Sequence, residues 1–241
     1  MKDAEGPWYP VEYKSDIYQY LKSLERARKP FLNRSPQFQE RPILIKWLKK
    51  MCEKVKFCRM TLHLAVFLLD FFMDSHVIKT EKLTLIASVC FILAGKLEER
   101  DCNVPRISDM NAMLNSSYSK RDIVYLERII LKHFKWKLTT PTALHFAEYF
   151  MEYAVIPQDV CQNCFDYNYA YNIIHTAVEE LLDLLLEDSS LIEEPPSYIA
   201  ASCILAVRKS FNLSTTWPIE LETITAYSES KLENSANRII E

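Results

Sequence analysis

The sequence predicts an all-α protein: two tandem helical bundles preceded by a separate amphipathic helix. Three features carry that expectation. Apolar residues recur at helical spacing in long runs, and the 241 residues contain only two glycines, Gly6 and Gly95. An apolar pattern beginning near residue 43 also starts again after residue 142. His63-x-Ala65-Val66 returns as His175-x-Ala177-Val178, and Ile86-Ala87-x-x-Cys90 returns as Ile199-Ala200-x-x-Cys203, in the same order and at nearly equal offsets. The expected boundaries are 1–37 for the first helix and a connector, 38–138 for the first bundle and 139–241 for the second.

Residues 13–27, YKSDIYQYLKSLERA, place Tyr13, Ile17, Tyr20, Leu21 and Leu24 on one helix face, and a polar connector containing prolines follows. That face needs a cover, either a bundle or a partner. Next, Ile43, Leu44, Trp47, Leu48, Met51 and Val55 alternate with Lys46, Lys49, Lys50 and Lys54, with Pro42 suited to a first turn. In LHLAVFLLDFFM, residues 62–73, Asp70 is the only charge. A buried carboxylate is costly unless paired, and Arg41 is its expected partner.

The stretch 82–100, KLTLIASVCFILAGKLEER, has no charge from Leu83 to Gly95 and is too short to span a bilayer. A helix apolar all round is wrapped by others, so this is the expected central post of the first bundle. Ala87, Ser88, Ala94 and Gly95 let its neighbours come close. It ends abruptly in Lys96, Glu98, Glu99 and Arg100, which makes that end the first candidate for function. For Lys96 the plain expectation is a pair with Glu99, three residues on.

A loop at 101–106 and a short helix at 107–114 follow. Ser119 with Asp122 forms a variant capping box ahead of DIVYLERIILKHFKW. Glu127 in that helix has only Ile123, Val124, Ile130 and Leu131 at three and four residues either way, so it must find a partner elsewhere. LTTPT, 138–142, breaks the chain. In the second half SYIAASCILAVRK, 197–209, is a second post after Pro195 and Pro196, and Trp217-Pro218 opens the last helical stretch. The acidic run 179–194 is expected to be a solvated face and its loop.

Several function classes are disfavoured. A net charge of −3 gives no drive toward bulk nucleic-acid binding. Two isolated glycines cannot build a phosphate-cradling loop. The seven cysteines are read as reduced thiols, and the single CxxC, Cys161 with Cys164, lacks further ligands and is read as coincidence. His63, His133, His145 and His175 are read as core or boundary residues rather than ligands or bases. No cofactor or metal is expected, and no catalytic constellation stands out. The first ten residues have no apolar leader-like run, so a nuclear or cytoplasmic location is expected.

ERPILIKWL, LHLAVFLLDFF and LIASVCFILAGKLEER, with YKSDIYQYL before them and the Trp217-Pro218 segment after, together resemble the cyclins, whose two boxes each form a helical bundle. The resemblance implies a regulatory subunit that binds and activates a cyclin-dependent kinase without catalysis of its own. The kinase-binding positions would be Lys96 and Glu127, surrounded by Leu93, Leu97, Leu131, Trp136 and Leu138, with Tyr13, Ile17 and Tyr20 from the first helix. Arg41 and Asp70 match the family's internal salt bridge. The family's substrate-docking groove for Arg-x-Leu peptides maps to Ile43, Leu44, Trp47, Lys50, Leu83 and Thr84. Here Glu40, Pro42, Lys46 and Lys50 depart from the usual residues, so a basic peptide is expected to be repelled and an acidic or phosphorylated substrate or inhibitor segment preferred. The alternative is a cyclin-fold transcription or nucleic-acid-binding adaptor without a kinase partner, although the basic charge and zinc ribbon of such factors are missing here.

Overall fold

The computed structural model describes residues 13–114, 118–159 and 166–240. Among them are eleven α-helices: α1 (Lys14–Arg26), α2 (Arg41–Val55), α3 (Arg59–Ser75), α4 (Thr80–Glu98), α5 (Ile107–Met113), α6 (Lys120–His133), α7 (Ala143–Met151), α8 (Tyr167–Leu185), α9 (Pro196–Ser210), α10 (Ile219–Thr225) and α11 (Glu229–Ile240). They gather into two compact units. One holds Pro30–Thr140 with Leu186–Ile192, and the other holds α1, Pro141–Leu185 and the chain from Glu193 onward.

In the first unit α4 is the post, buried continuously from Leu85 to Gly95 and packed by α2, α3 and α6. Gly95 has the close neighbour its size allows: a Cβ there would stand 2.7 Å from Cε2 of Phe57, whose ring stacks on Phe91. Arg41 and Asp70 form a buried two-pronged pair, Nε to Oδ1 at 2.8 Å and Nη2 to Oδ2 at 2.9 Å. Asp74, one turn further along α3, accepts the backbone amides of Leu32 and Arg34 at 2.8 Å each and so fixes the connector. Ser119 and Asp122 cap α6 reciprocally, and the Ser119 hydroxyl and amide hold the Asp122 carboxyl below its usual range.

The acidic segment after α8 differs from the expectation of a free solvated loop. Residues 186–192 belong to the first unit, where Glu187 binds Lys49 Nζ at 2.6 Å and its carbonyl accepts Arg41 Nη1 at 3.4 Å.

The second unit is built on α9, which packs against α7, α8 and α11. Its α1 is covered by this unit's own helices through a stripe that shares Leu21 with the expected apolar face and leaves Tyr13 and Tyr20 outward. Lys14 binds Glu152, and Tyr18 stacks on Tyr149 at 4.4 Å. Leu21 is buried, and Glu25 accepts the Ser197 amide at 2.7 Å. Tyr13 and Tyr20 are 57% and 55% exposed. Mixed polar and aromatic anchors won over the purely apolar stripe because each polar tip finds a partner.

A second buried ion pair escaped the sequence reading. Arg208, fully buried near the end of α9, donates from Nη1 to Asp159 Oδ2 at 2.8 Å and from Nη2 to Oδ1 at 3.2 Å. Its remaining donors reach the carbonyls of Thr216, Thr215 and Ala154. Burial alone would raise the Asp159 carboxyl, but Arg208, the Ile156 amide and the Ser214 hydroxyl together hold it below the usual range. An arginine inside an otherwise apolar post was the available signal. The cysteine pair at 161 and 164 lies outside the described residues.

Candidate partner-binding site

At the C-terminal end of α4 the charges sort themselves by what each can reach. Glu99 turns back to the start of α3, accepting the Cys58 amide at 2.6 Å and the Thr61 hydroxyl at 2.7 Å. It satisfies two donors at a helix start, where a carboxylate is favourable. Lys96 therefore pairs with Glu127 of α6 rather than with Glu99. This also supplies Glu127 with the partner its own helix lacks. The Lys96 side chain is 47% exposed and that of Glu127 16%, so the pair joins two helices and still shows its cation to solvent. Glu98, beside it, is raised by burial and then by the charge of Glu99.

Two apolar side chains flank this pair in sequence and stand in solvent. Leu97 is 46% exposed and Trp136, just beyond α6, is 69% exposed. Lys135 and Trp136 both take left-handed backbone, φ 52° and 63°, and the Trp136 amide returns to the Leu131 carbonyl at 2.8 Å. Left-handed backbone at a bulky residue is strained, and such strain concentrates where a surface has a task. Leu131, one turn after Glu127, is half-buried. Leu93 and Leu138 were expected to meet a partner but belong to the core, which leaves them to support the surface from behind. Tyr13, Ile17 and Tyr20 share the outward stripe of α1 in the other unit, with Ile17 half-buried.

The expected groove residues divide in the same way. Ile43 is 65% exposed, Trp47 and Thr84 are half-buried, and Leu44 and Leu83 are core. Lys46 and Lys50 are exposed, whereas Lys49 is held by Glu187, so the basic rim is narrower than the three lysines suggested. Lys49 first, by its hydrogen bond, and Lys46 by its charge keep Glu187 below the usual carboxylate range.

Among the histidines, His63 is buried and His133 lies amid Phe72, His76 and Phe134. His145 caps α7 through the Thr142 amide and hydroxyl. His175 differs, standing half-exposed between two carboxylates.

With this geometry in place, comparison with known proteins settles the class. Residues 16–139 match the family model for the cyclin N-terminal domain and residues 141–241 that for the cyclin C-terminal domain. The chain belongs to the cyclin family. Among curated relatives, Cyclin-J of Xenopus laevis is 30% identical over 235 residues, covering 94% of this chain and 61% of that protein. Cyclin-J of Homo sapiens is 30% identical over 247 residues, covering 99% of this chain and 63% of that protein. The chain thus spans less than two thirds of either relative's own length. A viral cyclin from herpesvirus saimiri superposes with a TM-score of 0.74 at 18% identity, covering 93% of this chain and 95% of that one. A chain of the yeast RNA Pol II CTD kinase CTDK-1 complex gives 0.60 at 14%. These structural likenesses concern the fold alone.

Proposed function

We propose that this chain is a regulatory subunit that binds a cyclin-dependent serine/threonine kinase in the nucleus or cytoplasm and activates it, contributing no catalytic group itself. The observation that carries the reading is the Lys96–Glu127 pair at the exposed end of the central post, in a chain that also exposes Leu97 and Trp136 and belongs to the cyclin family. A rigid helical surface of this kind acts by differential affinity. A partner that fits only the active arrangement of a kinase stabilises that arrangement by the difference in binding free energy. Leu97 and Trp136 supply apolar area and Lys96 supplies charge that orients the contact. Tyr13, Ile17 and Tyr20 are the corresponding outward residues of α1.

The strip on α2, with Ile43 and Trp47 between Lys46 and Lys50 and with Thr84 of α4, is read as a docking site for acidic or phosphorylated segments of substrates or inhibitors. A Lys50→Glu variant that still prefers acidic over basic peptides would sink that part of the reading.

The direct test is co-elution with a panel of purified cyclin-dependent kinases, followed by a kinase assay, with Lys96→Glu and Glu127→Lys as controls. Complex formation and activation by the wild type, lost in both folded variants, is the expected result. A folded, helical wild type that binds none of the kinases would overturn it.

A further inference from the structure

We propose that Glu148, His175 and Glu179 form a binding site for a divalent transition-metal ion of the zinc class, which ties α7 to α8 in the second unit. His175 and Glu179 lie one turn apart on α8, and Glu148 comes from α7, which packs against it. Nε2 of His175 is 3.1 Å from Glu148 Oε1, and Nδ1 is 3.7 Å from Glu179 Oε2. One donor atom from each of the three residues lies within 4.8 Å of the other two.

The donor set selects the ion. One imidazole and two carboxylates suit zinc and its first-row neighbours, whereas calcium and magnesium prefer oxygen throughout. Bonds of about 2.0–2.2 Å from one ion require donors roughly 3.4 Å apart. The Nε2–Glu148 separation is close to that, whereas Glu179 meets the other ring nitrogen and has to swing inward by up to about 1.4 Å to share an ion with them. Three protein ligands leave a fourth position for water, the pattern of an open zinc site.

Two surroundings favour occupancy. Tyr171, one turn before His175, stacks on its ring with centroids 5.7 Å apart and planes at 23°, which restricts the ring to the orientation that faces both carboxylates. The three side chains are 22–24% exposed, deep enough to hold an ion away from bulk competition and open enough for it to enter. The plain reading of His175 as a boundary residue explains its exposure but not why two carboxylates from different helices converge on it.

The test uses the full chain with Cys161→Ser and Cys164→Ser, which removes the competing thiolate pair. Zinc titrated by calorimetry is expected to fill one saturable site per chain in the micromolar range and to raise the melting temperature. Cobalt in its place should show ligand-field bands without thiolate charge-transfer absorption. His175→Gln and Glu148→Gln, each checked for helical content, should weaken zinc binding at least about tenfold, the lower end of what losing even an outer partner costs. Should one variant fail to fold, the other carries the comparison. No saturable site in the Cys161→Ser, Cys164→Ser background, or equal affinity in the folded glutamine variants, overturns the proposal.

Discussion

Replacing Asp159 by alanine isolates the strongest electrostatic feature of the second unit. The carboxylate accepts both Arg208 nitrogens, the Ser214 hydroxyl at 2.7 Å and the Ile156 amide at 3.0 Å, and both ends of the ion pair are buried. Removing one partner of a buried pair typically costs about 3–5 kcal/mol, because the other charge stays in the interior. Three carbonyls would still surround the guanidinium, which places the expected loss at about 3–4 kcal/mol. For a chain of this size about 1 kcal/mol moves the melting temperature by about 2–4 °C, so a fall of roughly 6–16 °C is expected by circular dichroism at neutral pH. The deficit also depends on pH in a fixed direction. Folded Asp159 titrates below its unfolded value of about 3.9, so its contribution is complete above that pH and disappears as pH falls through the folded value. The gap between wild type and Asp159→Ala should therefore narrow in acid. A loss below about 1 kcal/mol, or a gap unchanged at low pH, would refute the assigned role of the pair.

A double charge reversal, Lys96→Glu with Glu127→Lys, should restore the contact between α4 and α6 while leaving kinase binding lost. Recovery of binding in a pull-down would mean that the pair acts only as an internal brace. Gly95→Ala gains about 1 kcal/mol of helix propensity but drives a methyl to 2.7 Å from a Phe57 ring already stacked on Phe91, and overpacking costs about 1–3 kcal/mol. A net loss near 1 kcal/mol in urea unfolding is expected, and a gain would show that Phe57 yields freely. Ser202, buried in α9, has a hydroxyl without a hydrogen-bond partner among the described residues. Ser202→Ala should raise stability by about 1 kcal/mol, measured the same way.

What was legible in the sequence follows from the range of the forces involved. The central post announced itself because burial on all sides leaves a one-dimensional trace, an uncharged run. Arg41 and Asp70 could be paired because a lone carboxylate in an apolar helix demands a cation. The same reasoning applied to Arg208 would have flagged the second pair, although not Asp159, which sits 49 residues away. Lys96 was read toward Glu99 because helical spacing shows only neighbours on one helix, and the pull of Cys58 and Thr61 on Glu99 is a tertiary fact. The face by which α1 docks on its own unit was only partly legible, through Leu21, for a related reason. Tyr18, Lys14 and Glu25 anchor through stacking and hydrogen bonds that hydrophobicity alone does not score. His175 and Glu179 stood in plain view one turn apart, but Glu148, the residue that gives them meaning, arrives from another helix.

The position of α1 has a consequence during synthesis. Glu25 and the Ser197 amide it holds are separated by 172 residues, and Tyr149 also comes far later than Tyr18. At about 5–20 residues per second, roughly 10–35 s pass between the ribosome adding the helix and adding the residues that seat it. Until Phe146, Tyr149 and Phe150 are added, Tyr18 lacks the rings it packs against, while the Pro30–Thr140 part of the first unit leaves the ribosome. This helix is thus made well before the residues that seat it, and a nascent chain arrested before α7 would display Tyr18 and Leu21 without the cover they have in the folded unit.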